Sequence, residues 1–500
     1  MKRFRKPKSV STAVEPALAG ALDRLVVKLC SLHTDFSGVR LVTDGTDAFA
    51  LRVLSARTAV RSLDLQYYLW HSDVTGQFLA HEVLLAADRG VRVRLLLDDM
   101  DARSRDAVLM ALDQHPQIEI RLFNPFATRT GMLRTARELL SRGSRLNHRM
   151  HNKAWIADAR LAIVGGRNIG DEYFAASRHV NFVDLDVALI GRAVQDTESM
   201  FDAYWNSASA VPITNLRRTR RNKLSLDEVR RVSADSVRNA AAGPYAQALR
   251  PVSAIDELFT GERAMTWSQS VRLVADDPRK ALKSAHVIAP GVLESVQEMF
   301  ANACRELLLI SPYFVPGPGG TAGLRRMAEQ GAHIRVLTNS LAATDVAAVH
   351  SGYARYREPL LEAGIELYEL KTAPEESEQE RARRLRIGSS KASLHTKAIV
   401  IDSARLFVGS FNLDPRSATL NCEMGVWIEE PSLAAKLSAL FDRATQPTHS
   451  FSVRLDSQCR LIWSEQVNGE TVESHTEPDA SWGRRLVTWL LQHLPIESQL

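Results

Sequence analysis

Two stretches decide how this chain is read: residues 151–168, HNKAWIADARLAIVGGRN, and residues 395–412, HTKAIVIDSARLFVGSFN. Both fit one pattern, HxKxxxxD followed after six residues by G[GS]xN. The apolar runs on either side of each aspartate read as two short strands joined by a turn. What precedes the motif repeats as well. AVRSLDLQYYLW (59–70), a helix-like stretch and GVRVRLLLDD (90–99) are answered by ACRELLLISPYFVP (303–316), a helix-like stretch and GAHIRVLTNS (331–340). Tyr68 and Tyr313 fall in matching places, as do Gln66 and Ser311. Each half thus shows strand, helix, strand, and its leucine-rich and β-branched runs suit buried parallel strands. The fold class expected is α/β, with two similar α/β/α sandwich domains packed so that the active site lies at their interface.

Outward from the motifs, the chain divides into a basic N-terminal amphipathic segment (1–35), a first domain (36–210), a basic polar connection (211–252), a second domain (253–448) and a C-terminal appendage (449–500). Residues 371–391 read as a long charged loop. A length of 500 residues exceeds one ordinary core. With 45% hydrophobic and 24% charged residues the chain is globular rather than mainly disordered. No run approaches the roughly 20 apolar residues of a membrane span, and no signal peptide is recognisable at the start. Cys30, Cys304, Cys422 and Cys459 lie far apart, which argues against a disulfide framework or a zinc ribbon and suits a reducing compartment. The net charge of +5 favours an anionic partner. Basic residues cluster at Lys2, Arg3, Arg5, Lys6 and Lys8, again at Arg217, Arg218, Arg220, Arg221 and Lys223, and again at Arg381, Arg383, Arg384, Arg386 and Lys391.

The motif chemistry follows from spacing. Residues two apart on a strand share a face, so His151 goes with Lys153 and His395 with Lys397. Asp158 and Asp402 fall at the other parity, beside the turn, where capping is an alternative to catalysis. The returning strand brings Gly166 and Asn168, or Ser410 and Asn412, back beside the His-Lys pair as phosphate-binding candidates, and the small residues allow close approach of backbone N–H groups. Imidazoles, ammonium groups, amides and N–H donors together suit a phosphoryl group, whose transition state spreads negative charge over its oxygens. One imidazole can attack phosphorus to give a phosphohistidine while the other moves the proton of the alcohol. The lysines supply the positive charge, so no metal or cofactor is called for. His148, His151 and Asp158 form the one alternative metal set considered, and the second copy has no counterpart to His148. A nucleophilic histidine needs its other nitrogen fixed, normally by a carboxylate. Asp184 (in NFVDLDV) follows His151, and Glu423 (in NCEMGV) follows His395 at a comparable distance. Asp186 is the fallback in the first half.

The doubled motif resembles the phospholipase D superfamily, in which two such halves form one active site. NHRMHNKAWIAD, AIVGGRNIGDEYF, NFVDLDV, FDAYWNS, GSFNLDPRSATLNCEMGV and the terminal LPIESQL extend the resemblance to bacterial cardiolipin synthases of the C type, over residues 38–500. The resemblance implies a catalytic set of His151, Lys153, Asp158, His395, Lys397 and Asp402, with His151 the nucleophile and His395 the acid/base. The residues alone leave that order open. Gly166, standing where the second half has Ser410, departs from the family's GSxN form. The implied reaction is phosphatidyl transfer to phosphatidylglycerol from a donor phospholipid, with phosphatidylethanolamine a candidate donor. Hydrolysis of phospholipid head groups, or of nucleic-acid phosphodiesters, remains an alternative use of the same groups, and a non-catalytic basic membrane-binding protein is disfavoured by two intact motifs. The absence of aromatic-basic interleaving disfavours nucleic acid. A lipid substrate implies peripheral attachment at the cytoplasmic face of a bacterial inner membrane. Three elements could provide it: residues 14–32 with Leu18, Leu22, Leu25, Leu29 and Leu32; residues 482–494 with Trp482, Leu486, Trp489 and Leu490; and the arginine-flanked Leu133, Leu139 and Leu140. For each of the first two, packing against the protein's own core is the favoured fate.

Overall fold

The computed structural model describes residues 9–102, 105–126, 145–177, 179–216, 224–241, 255–282, 290–301, 305–372, 392–494 and 497. All three basic clusters, Leu133, Leu139, Leu140, Cys304 and most of the 371–391 loop lie outside the described residues. The chain forms two compact units. Unit 1 holds Met1–Ala176, Asp186–Gly291 and Leu420–Gly425, and unit 2 holds Ser177–Leu185, Val292–Thr419 and Val426–Leu500.

In unit 1, strands Ser62–Tyr67, Arg92–Asp98 and Ile118–Phe123 pair in parallel. Helices Val74–Asp88 and Asp106–Leu112 lie in the two connections between them. The apolar runs that suggested buried parallel strands are buried: Leu63, Leu65, Val93, Leu96 and Ile120 are all essentially inaccessible. The sheet continues antiparallel through Ala154–Ala157, Leu161–Gly165, Asp186–Gly191 and Ser37–Val42. Unit 2 repeats the plan. Glu306–Ile310, His333–Asn339 and Glu366–Leu370 are parallel, and Ala398–Ile401 and Arg405–Gly409 extend the sheet antiparallel. The expected strand-helix-strand repeat is therefore present twice.

The aspartate of each motif has a structural task. Asp158 and Ala159 open their hairpin turn at φ 53°, and Asp402 and Ser403 open theirs at φ 55° and 52°. That left-handed region is one that aspartate tolerates better than most residues. The Asp158 carboxylate then accepts from the backbone N–H groups of Val60, Arg61 and Ser62 at 3.0, 2.7 and 2.9 Å, fixing the start of the neighbouring strand. Asp402 accepts from Arg305 and Glu306 at 2.5 and 3.1 Å in the matching place.

Three segments carry structure that the sequence reading left unspecified. Within residues 14–32 the helix is Ala21–Cys30, and it turns Leu22 and Val26 into unit 1. Its Asp23 is fully buried against Arg61 and Arg160, so packing, rather than an outward apolar face, fixes this helix. The connection at 211–252 contains helix Leu226–Ala241, docked on Val74–Asp88 through Ser233 and His81 at 3.2 Å. Residues 449–500 begin with Ser450–Leu455, Leu461–Val467 and Glu470–Ser474, which add three antiparallel strands to the sheet of unit 2. Among the described residues no helix is long and apolar enough to cross a membrane.

Candidate active site

Each histidine sits just before its strand rather than on it, held by backbone pairing. In unit 1, Cys422 N–H donates to Arg149 O at 2.7 Å and His151 N–H to Cys422 O at 2.8 Å. In unit 2, Ala392–Leu394 pairs in parallel with Asn181–Val183, and His395 N–H donates to Val183 O at 2.9 Å. These short pairings decide which carboxylate meets which ring. His151 Nδ1 lies 2.9 Å from Glu423 Oε2, and His395 Nδ1 lies 2.6 Å from Asp184 Oδ2. Both carboxylates are buried, Glu423 fully.

The pairing is thus crossed relative to the sequence reading, in which each carboxylate served the histidine preceding it in its own half. Sequence distance misled because both carboxylates follow their histidines at similar intervals, while the residues adjoining them pair with the opposite motif. Asp186, the fallback, is committed elsewhere: it accepts from Arg52 at 2.9 Å and from the Arg167 N–H at 3.3 Å. A carboxylate on Nδ1 holds the proton there and leaves Nε2 of a neutral ring with its lone pair available.

The lysines lie where parity put them. Lys153 is buried, its Nζ donating to His151 O at 2.6 Å, and Lys397 repeats this with His395 O at 2.5 Å. Each ammonium is thereby held against the backbone of its own histidine. Aromatic rings flank the imidazoles differently. Tyr68 meets His151 edge-on, at 5.2 Å and 72°, and Phe182 stacks on His395 at 5.0 Å and 27°.

The phosphate-binding candidates follow their strands and are buried. Gly166 and Asn168 come after Leu161–Gly165, and Ser410 and Asn412 after Arg405–Gly409. The Asn168 amide is engaged in the fold, accepting from Leu69 N–H at 3.1 Å and donating to the Tyr173 hydroxyl at 2.9 Å. Asp158 and Asp402 accept the N–H bonds described above, at the far ends of the hairpins. His148 bonds through Nδ1 to Leu420 O at 2.8 Å, and His148, His151 and Asp158 do not converge as a ligand set.

Sequence reasoning missed a supporting layer. Asp98, at the end of strand Arg92–Asp98, accepts from Met150 N–H at 2.9 Å, one residue before His151. Asn339, at the end of His333–Asn339, exchanges two bonds with the backbone of Leu394, at 2.9 and 3.0 Å, one residue before His395. Burial pushes the Asp98 carboxyl up, against the pull of Arg149. A polar residue closing an apolar strand at matching positions of the repeat was the available signal. Glu423 has its own supports: Asn421 Nδ2 donates to its Oε1 at 3.2 Å, and Asp276 accepts from its N–H at 2.9 Å.

Comparison with known proteins agrees with the repeat. The family model described as cardiolipin synthase, PLD-like domain, matches twice, over residues 54–205 and 296–445. Cardiolipin synthase C of Escherichia coli (strain K12) is 40% identical over 96% of this chain and 99% of that protein. A major cardiolipin synthase of Bacillus subtilis (strain 168) is 24% identical over 88% of this chain and 75% of that protein. Among solved structures, the phosphatidylserine synthase of Haemophilus influenzae Rd KW20 shares the fold, with a TM-score of 0.61 at 12% identity over 96% of this chain and 100% of that one. Matched in both halves and along nearly its whole length, the chain is an enzyme of the cardiolipin synthase family, with its phospholipase D-like domain in two copies.

Proposed function

We propose that this enzyme is a phosphatidyltransferase that forms cardiolipin from phosphatidylglycerol and a donor phospholipid. The observation that supports it most is the doubled His-carboxylate pair: two imidazoles, each with Nδ1 on a buried carboxylate and a motif lysine on its own carbonyl. Nε2 of His151 attacks the donor's phosphoryl group, a P–N bond forms and the P–O bond to the head group breaks. His395, protonated, gives its proton to the departing alkoxide. The now neutral His395 then takes the proton of a phosphatidylglycerol hydroxyl. Its oxygen displaces His151, closing the new P–O bond and breaking P–N. Lys153 and Lys397, with the backbone and Ser410 and Asn412, are the groups proposed to hold the charged phosphoryl oxygens. Asp158 and Asp402 contribute by holding the hairpins. The proposal includes peripheral attachment at the membrane, on its cytoplasmic face.

Hydrolysis is the second reading, because water can replace the lipid hydroxyl without any change in these residues. Incubating purified protein with phosphatidylglycerol, with and without phosphatidylethanolamine, and identifying products by mass spectrometry separates the two. Cardiolipin is expected. Phosphatidic acid alone would make the enzyme a hydrolase, and no change in any lipid would end both readings.

A further inference from the structure

Helix Trp482–Gln492 of unit 2 is built inside out. A surface helix normally turns its apolar stripe to the core and its charges to water. Here the single buried residue is Thr488, 4% exposed, with Arg484 and Arg485 half-buried on the same side. The helix packs on Ala347–Ala354 through that polar face, and Arg484 donates to the Thr344 carbonyl. Trp482, Trp489 and Leu490 face outward at 77, 56 and 51% exposure, with Leu486 and Val487 beside them. Such a patch of large apolar side chains marks a surface that is covered in use.

We propose that this helix docks the enzyme on an anionic phospholipid bilayer, lying in the interface with its tryptophans among the head groups. Three features select that occupant. Tryptophan favours the bilayer boundary, where its ring is apolar and its N–H finds a polar partner. An eleven-residue helix is far too short to span and suits an interfacial position. Residues 481–494 carry two arginines and no acidic residue, and among the described residues neither arginine is paired with a carboxylate. Arg484 is turned inward to the Thr344 carbonyl, but part-exposed Arg485, one turn before Trp489, keeps positive charge at the edge of the patch, and an anionic surface complements it. The proposal rests on the reading that the substrates are membrane phospholipids, and it names the element that reaches them. It also separates the two terminal helices considered from sequence, since Ala21–Cys30 spends its apolar face on its own unit.

The test uses the full chain and flotation with vesicles of phosphatidylcholine alone or phosphatidylcholine with phosphatidylglycerol. The parent should float with the anionic vesicles, less so in high salt. A W482S/W489S/L490S variant should lose about tenfold or more in partitioning, with unchanged thermal unfolding and unchanged turnover of substrate dispersed in detergent micelles. Equal flotation of variant and parent would overturn the proposal. So would a parent that does not float, or sedimentation showing a dimer that the variant dissolves without change in vesicle binding. Flotation needs no turnover, so a chain that binds vesicles but makes no cardiolipin refutes the function and leaves the docking helix standing.

Discussion

The crossed pairing makes a sharp prediction for Glu423→Gln. Glu423 is fully buried, takes a hydrogen bond from Asn421 on Oε1 and faces His151 Nδ1 with Oε2 at 2.9 Å. Replacing the carboxylate by an amide keeps the shape and removes the charge, at a loss of roughly 1.5–3 kcal/mol for a charge-assisted bond. Asn421 adds a second effect. Its N–H requires an acceptor, so the glutamine oxygen turns toward Asn421 and the NH₂ toward His151. The imidazole must then accept at Nδ1 and carry its proton on Nε2, the atom that has to react. The two effects together lower turnover about 10²–10³-fold. The assay is pre-steady-state release from a phosphodiester with a p-nitrophenol leaving group, which departs without acid help. His151→Ala and His395→Ala identify the nucleophile as the variant that loses this burst. Glu423→Gln should then behave as a weaker His151→Ala, and Asp184→Asn as a weaker His395→Ala. If Glu423→Gln instead follows His395→Ala, the pairing argued here is wrong, whichever histidine is the nucleophile.

Asp158→Ala should cost about 2–4 kcal/mol of stability, since three backbone N–H groups lose a charged acceptor; turnover per folded molecule should hold, and lost turnover at an unchanged unfolding temperature would contradict the hairpin role. Cys422, fully buried with its thiol pushed up to about 12 by burial, should resist maleimide in the native enzyme while exposed Cys459 reacts, read by mass spectrometry of peptides. Glu198, buried near Asp64 and Asp202 and partly offset by Arg94, has its carboxyl raised to about 9, chiefly by burial. The folded state therefore binds a proton that the unfolded chain gives up above its ordinary carboxylate range, so this contribution to stability falls as pH rises toward 9. Glu198→Gln should raise the unfolding temperature, more at pH 8 than at pH 6; a gain that is equal at both pH values would refute the buried-proton account.

How far the fold could be read from sequence depends on how local each signal is. The parallel strands were legible because Leu63–Leu65 and Leu307–Leu309 sit in runs whose burial needs no partner information. The hairpins were legible because the motif contains both strands and the turn. The carboxylates were legible as residues but not as partners. Glu423 reaches His151 only because Cys422 pairs with the backbone on either side of Met150, a contact between residues 272 apart for the ring itself. Asp98 and Asn339 were harder to find for a related reason: each supports its histidine through the backbone of the residue before it, so beyond a polar residue at the strand end no side-chain partner marks it. The inverted helix at 482–492 was seen as amphipathic, yet periodicity gives the angle between its faces and never says which one is turned inward. Within the polar connection, helix Leu226–Ala241 was not legible, because a polar composition hides a helix that docks through a few side chains such as Ser233.

The two half-sites are unlike in a way that bears on their roles. An acid/base histidine must be comfortable as a cation, whereas a nucleophile must present a neutral Nε2. His395 has the shorter carboxylate bond, 2.6 Å against 2.9 Å for His151. It also lies against the face of Phe182, and the negative face of an aromatic ring favours a cation above it. His151 meets Tyr68 edge-on, and the ammonium of Lys153 lies 5.6 Å from that same ring. The shorter carboxylate bond and the stacked ring support the proposed order, with His395 holding the proton and His151 attacking. Phe182→Leu tests it, because leucine keeps the apolar contact and removes the π face. Loss of about 0.5–1.5 kcal/mol of cation stabilisation should slow the first step with a natural alcohol leaving group about 2–10-fold. With p-nitrophenol, which needs no proton, the same step should be unchanged. A Phe182→Leu enzyme slowed equally on both substrates would show that the ring positions the site rather than supporting charge on His395, and the assignment of roles from ring geometry would fail.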